Sequence, residues 1–166
     1  MYEIATTRFN NNTWMENVRW REKNNWNGSI YGTPKQISER FTPNIYIFIL
    51  EMNNDINKIK GVGLIKNRIL INKTHDKKHN KYYKIYNEQN YNRYIYKSKY
   101  RIDRKEMTLE EKKVLRILDK LVFKGKTHLK RGQGIIVIPD WIKNNSIINF
   151  IKLLRKMFNI RNKMFN

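Results

Sequence analysis

Hydrophobic positions along the chain fall into short blocks separated by Asn, Gly, Pro and charged residues. YEIAT, Tyr2 to Thr6, predicts a first short strand. Thr13 and Glu16 have capping-box spacing and predict a helix through WMENVRW. After the break at NNWNG, SIYG predicts a short extended piece. Thr33-Pro34-Lys35-Gln36 then reads as a second helix start running to about Arg40, with Thr at N-cap, Pro at N1 and Gln at N3. NIYIFILEM, Asn44 to Met52, is a continuous apolar run whose length favours a strand buried on both faces. Lys60 to Ile71 predicts a strand interrupted by Gly61 and Gly63, then another; glycine inside a strand marks a bulge or a close backbone approach.

The second half is more polar. Lys73 to Tyr91 is basic with interleaved tyrosines and reads as a loop on a binding face or an insertion. Arg93 to Ile102 roughly alternates and predicts one more strand. Thr108 and Glu111 form a further capping-box pattern. Val114, Leu115, Leu118, Leu121 and Val122 follow at helical spacing, and Gly125 stops the helix. GIIVIP, Gly134 to Pro139, predicts a buried strand. Ile147, Phe150, Ile151, Leu154, Met157 and Phe158 make one helical stripe, with Lys152, Arg155 and Lys156 off it. The order of elements gives one α+β domain over residues 1–139, with a basic Tyr-rich insertion at 73–91. A basic amphipathic helix over 140–166 packs on it.

Charge turns this pattern toward a class of partner. The 166 residues carry 35 Lys and Arg against 14 Asp and Glu, a formal +21. Self-repulsion at that charge opposes compaction and favours a polyanion, of which nucleic acid is the usual one. The absence of cysteine excludes a disulfide framework and a thiolate metal site. No run of 18 apolar residues exists, so no spanning helix and no membrane partner are expected. MYEIATTRFN lacks the basic-then-apolar order of a signal peptide, and a cytoplasmic setting is expected. Asn, Lys and Ile have AT-rich codons, which suits an AT-rich genome such as that of a large DNA virus; a viral factory or virion would then be the site of action.

The stretch NNWNGSIYGTPKQISERF places Trp26 and Tyr31 where a loop is expected, as core packing or as the walls of a pocket. In KGKTHLKRGQGI, Lys126, Lys130, Arg131 and Gln133 are candidates for phosphate contacts, against the plainer reading of a solvated basic hairpin loop. The spacing is not that of a nucleotide-binding P-loop. His75 and His79 lie four apart, but a third ligand is missing, so solvated histidines are expected and no metal or cofactor. No Ser-His-Asp or paired-carboxylate constellation stands out, and no catalysis is expected.

The words IATT, TWMENVRW, IYGTP, NIYIFILEM and IKGVGLIKN, in that order, resemble the N-terminal part of PUA-like domains in their EVE and YTH branches. The resemblance covers the first seventy residues or so. It implies a small twisted β-barrel with surrounding helices, and an aromatic pocket for a flipped base, N6-methyladenosine-like bases included. Tyr31 matches the pocket aromatic, where those families usually carry Trp. Thr33 matches the position after the glycine, and Thr6 and Thr7 match the end of the first strand. Trp26 and Trp14 match no fixed word and are nominated because they lie near that turn. The expected partner is single-stranded RNA, with DNA as the alternative, and the C-terminal helix could dock a protein. Two rival readings remain: a basic structural protein of a virion or ribonucleoprotein assembly, and an ASCH-like nuclease on the same barrel.

Overall fold

The apolar run at Asn44–Met52 becomes the middle of a five-stranded sheet. The computed structural model describes residues 1–72 and 83–165. Its elements are β1 (Tyr2–Phe9), α1 (Asn11–Lys23), β2 (Ser29–Thr33), β3 (Tyr46–Asn53), β4 (Lys58–Lys66), β5 (Ile71–Asn72), β6 (Tyr94–Ser98), β7 (Tyr100–Asp103), α2 (Leu109–Phe123), β8 (Ile135–Val137), α3 (Asp140–Lys143) and α4 (Phe150–Ile160). Two 3-10 turns lie at Gln89–Asn92 and Arg104–Glu106.

The large sheet has the order β7-β4-β3-β1-β8, and a second sheet has the order β2-β6-β5. Among the described residues only β1 and β3 run parallel, in register from Tyr2 opposite Tyr46 to Phe9 opposite Asn53. A parallel pair needs a crossover, and α1 and β2 lie within it. The architecture is mixed α+β. Among the described residues no strand of one sheet pairs with the other, and neither sheet closes into a barrel.

Both faces of β3 are covered, as its unbroken apolar sequence requires. Phe48, Leu50 and Met52 join Ile4, Val62 and Leu64 beneath Leu115, Leu118 and Val122 of α2 and Phe150, Leu154 and Phe158 of α4. Ile47 and Ile49 face the other way, into a cluster with Ile30 and Tyr31 of β2, Ile95 and Tyr96 of β6, and Trp14 of α1.

Several local expectations change. The first helix is capped by Asn10, not Thr13. Asn10 Oδ1 accepts from the Thr13 amide at 2.8 Å, and the Asn10 amide donates to Thr13 Oγ1 at 3.0 Å, so Thr13 is the third helical residue of the box. Thr33-Pro34-Lys35-Gln36 starts no helix. Thr33 ends β2, and its hydroxyl donates to the Lys35 carbonyl at 2.6 Å instead of accepting from a helical amide. The strand expected over Arg93–Ile102 is two. The Ser29 hydroxyl reaches the carbonyls of Ser98 and Tyr100, pinning the corner where the chain leaves the small sheet for the large one. β8 is an edge strand with Ile136 40% exposed, and Ile147 lies outside α4 and is 89% exposed. The capping box at Thr108 and Glu111 forms as expected. Among the described residues no helix is long and apolar enough to cross a membrane. Residues 73–82 of the Tyr-rich segment, with His75 and His79, lie outside the described residues.

Candidate nucleic-acid interface

Two concave regions adjoin α1, one beside the small sheet and one reaching round the edge of the large sheet to α2. Between the sheets lies a buried polar cluster. Glu51 of β3 and Arg101 of β7 are 1% and 5% exposed. Arg101 Nε donates to Glu51 Oε1 at 2.8 Å and Nη2 to Oε2 at 2.7 Å, a bidentate pair. The Tyr31 hydroxyl donates to Oε1 at 2.8 Å, and Arg101 Nη1 reaches Asp103 Oδ2 at 3.1 Å. Burial alone would lower the Arg101 pKa, but the Glu51 carboxylate outweighs it and holds the guanidinium above its ordinary value. Burial, then Glu51, pushes the Tyr31 phenol well up, so it remains a donor.

The two glycines of GVG make room for this cluster. A Cβ on Gly63 would overlap the Tyr31 hydroxyl, and one on Gly61 would stand 2.8 Å from both Arg101 Nη2 and Glu51 Oε2. The close approach marked in the sequence is thus made by side chains from β2, β3 and β7.

The first concavity, of about 300 Å³, lies at the end of β1. Thr7, Arg8 and Phe9 form one side, with Asn10 and Thr13 of the α1 cap, Gly32 of β2, Asn54 of the β3–β4 turn, Gly134, and the rings of Tyr86 and Tyr91. The two rings meet edge-on, 6.3 Å between centroids at 76°. Asn92 fixes their segment: its Oδ1 accepts from the amides of Ile85 and Tyr86, and its Nδ2 donates to the Tyr86 carbonyl at 2.7 Å. Only glycine fits at position 32, because a Cβ there would run into the Tyr91 carbonyl and come within 3.1 Å of the Tyr86 ring.

The basic loop after α2 is tied to the rim of this pocket. The Lys130 carbonyl accepts from Arg8 Nη1 at 3.2 Å and from Asn54 Nδ2 at 2.9 Å. Lys126, Arg131 and Gln133 are exposed beside it and Lys130 is half-buried. The Asn54 Oδ1 atom, in contrast, is buried and has no hydrogen-bond partner among the described residues. A buried acceptor without a donor costs about 1–3 kcal/mol.

The second concavity, about 1500 Å³, runs beside α1 toward β4 and β7. Its lining holds eight Lys and Arg (Arg21, Lys58, Lys60, Arg101, Arg104, Lys105, Lys112 and Lys163) against Glu22, Asp103 and Glu106. Trp14 and Trp26 belong here. Trp14 is 8% exposed, edge-on to Phe9, with Arg21, Arg101 and Lys60 each within 5.8 Å of its ring centre. Trp26 is half-buried. Its indole donates to the Ser29 carbonyl at 3.1 Å, and Lys97 Nζ sits 3.9 Å from its ring centre.

The residues nominated from sequence therefore separate. Thr7 lines the small pocket, and Lys126, Lys130, Arg131 and Gln133 stand on the loop at its rim. Trp14 and Trp26 line the larger cleft. Tyr31, at 1% exposure, is core: its ring is sealed between the sheets and is not a pocket wall. The hydroxyl of Thr33 serves the chain's own backbone, and Thr6 Oγ1 points to the Ile136 carbonyl at 3.5 Å. Sequence reasoning missed Tyr86, Tyr91, Asn54 and Arg21. Two signals were available: the tyrosines of the 73–91 segment and a glycine, Gly32, inside a strand.

Comparison with protein-family models, with curated proteins and with solved structures finds no match. No group of three or more His, Cys, Asp or Glu able to hold a metal ion occurs among the described residues.

Proposed function

We propose that the chain is a PUA-like binder of single-stranded RNA whose small pocket takes a flipped base, with N-methylated adenine among the candidates. The observation that carries this is the pocket itself. Its volume is at the low end of ligand sites, half-buried Tyr91 lines it with the buried Tyr86 behind, and the orphaned Asn54 Oδ1 belongs to a residue of its lining. A base offers an aromatic face a ring on which to stack, worth about 1–3 kcal/mol. It offers Asn54 an N–H. An adenine methylated on its exocyclic nitrogen keeps one such N–H and presents a methyl that only an apolar wall rewards. The exposed cations of the 124–134 loop supply phosphate contacts that read no sequence.

The test compares a short single-stranded RNA carrying one N6-methyladenosine with its unmethylated twin and with DNA of the same sequence. Tyr91→Ala should cost about 1–3 kcal/mol on the preferred strand and little on a random one, with an unchanged melt. Equal loss on all strands, or no preference in the wild type, would leave the structural, charge-neutralising reading.

A further inference from the structure

The large cleft contains a cation without a counterion. Arg21, on α1, is half-buried. Among the described residues its guanidinium makes one hydrogen bond, from Nε to the neutral Asn17 Oδ1 at 2.9 Å, and no ion pair. The two carboxylates whose field reaches it, Glu51 and Asp103, are already committed. Both Glu51 oxygens accept from Arg101, and Asp103 accepts from Arg101 and from the Lys105 amide. Burial and then the positive field of Arg101 pull the Arg21 pKa below its ordinary value against the weaker opposing pull of Glu51 and Asp103, so its charge is not fully compensated. Among the described residues Lys60 also makes no ion pair, and it lies over the same Trp14 ring, with Nζ 5.8 Å from its centre; Arg21 Cζ is 5.6 Å from it.

We infer that Arg21 and Lys60 form a phosphate-binding site in this cleft. A guanidinium whose Nε is held by Asn17 keeps its terminal N–H groups in a fixed fork, which suits phosphate oxygens. The same Asn17 donates through Nδ2 to the Tyr86 hydroxyl, at 3.0 Å, and to the Ile30 carbonyl, at 2.8 Å. One buried amide thus sets both the wall of the small pocket and the anion fork. Assigning the phosphate to the strand whose base enters that pocket rests on the reading proposed above.

Pyrophosphate, which has no base, tests the site alone. It is titrated into the full chain while the Nε–Hε NMR signals of Arg21 and of the exposed Arg116 are followed. The Arg21 signal should shift and saturate first, and Lys60→Gln should weaken that response about tenfold, a loss of about 1.4 kcal/mol. An Arg21 signal that moves no earlier than that of Arg116, or a response indifferent to Lys60→Gln in a variant that melts normally, overturns the proposal. A short oligouridine then identifies the source. Arg21→Gln should lower the slope of log K against log salt by about 0.7, and Arg116→Gln should not. A pyrophosphate response with an unchanged oligouridine slope assigns the site to a free phosphate or nucleotide. If no strand binds the wild type, the RNA-binding reading falls while the phosphate site stands.

Discussion

The two faces of the five-stranded sheet are built from opposite materials. Toward α2 and α4 the filling is hydrocarbon: Phe48, Leu50, Val62 and Leu64 against Leu118, Leu154 and Phe158. Toward the small sheet, aliphatic residues share the space with Tyr31, Glu51, Arg101, Asn17 and Tyr86, all nearly inaccessible. The smaller concavity opens on this second side, and the larger cleft runs from it round the sheet edge to Lys112 of α2. A hydrocarbon face needs only volume and shape. A face laced with buried charge needs every partner in place, because one unpaired member costs more than the pair contributes. The first face is thus suited to stability, and the second to holding the walls of a site in one arrangement.

The sharpest way to break that contrast is to remove one large group from each face. Phe158→Ala should lower unfolding free energy by about 3–5 kcal/mol through cavity formation. Arg101→Ala should cost a similar ~3–5 kcal/mol, for a different reason: Glu51 is left buried and alone. Urea denaturation of the double variant Glu51→Leu with Arg101→Met separates the two mechanisms. Stability should recover much of the way toward wild type, as an apolar pair replaces an ionic one. A double variant as weak as Arg101→Ala alone would mean the network supplies more than charge compensation.

Gly63→Ala comes next, at about 1–3 kcal/mol for overpacking. Combining it with Tyr31→Phe should return part of the loss, since the added Cβ overlaps the Tyr31 hydroxyl but also lies 2.9 Å from Ser29 Cβ and 3.0 Å from Tyr31 Cζ. Strict additivity of the two substitutions would show that they do not meet. Tyr31→Phe alone removes a hydrogen bond to a carboxylate and should cost about 1.5–3 kcal/mol. The melt of this variant reports the core role of Tyr31; the RNA preference should be untouched when binding is compared at a temperature where it is folded.

The smallest effect is the response to acid, and both faces share it. On α2, hydrogen bonds from Arg161 hold Glu111 below the usual carboxylate range. On β7, burial works to raise Asp103, but the Lys105 amide and Arg101 outweigh it and leave its pKa lowered. A depressed folded pKa gives stability that is present above the unfolded value, ~4 for a carboxylate, and lost as pH falls through the folded one. Melting temperature should fall from neutral toward about pH 3, and Glu111→Gln should flatten part of that slope by lowering the neutral end. A variant curve parallel to wild type would show that the Glu111–Arg161 pair contributes nothing at either end.

Local pattern alone was enough for β1, β3, β4 and α2, because each carries its own signal. The Thr108–Glu111 box and the spacing of Leu115, Leu118 and Val122 describe α2 completely. The unbroken apolar run at Asn44–Met52 requires cover on two sides wherever the strand lies. The same pattern marked Gly61 and Gly63 as a bulge or a close approach, and the charge of +21 raised the expectation of a polyanionic partner. Tertiary structure decided the rest, since it depends on which distant groups compete for one side chain. Tyr31 is core because Glu51, twenty residues away and held by Arg101 fifty residues beyond that, accepts from its hydroxyl. Thr33 caps nothing because its hydroxyl donates to the Lys35 carbonyl. The pocket gathers the end of β1, a strand glycine, a turn asparagine and two tyrosines from four separate parts of the chain. No periodicity in a sequence encodes that meeting, because it is fixed by how two sheets stack and not by any one of them.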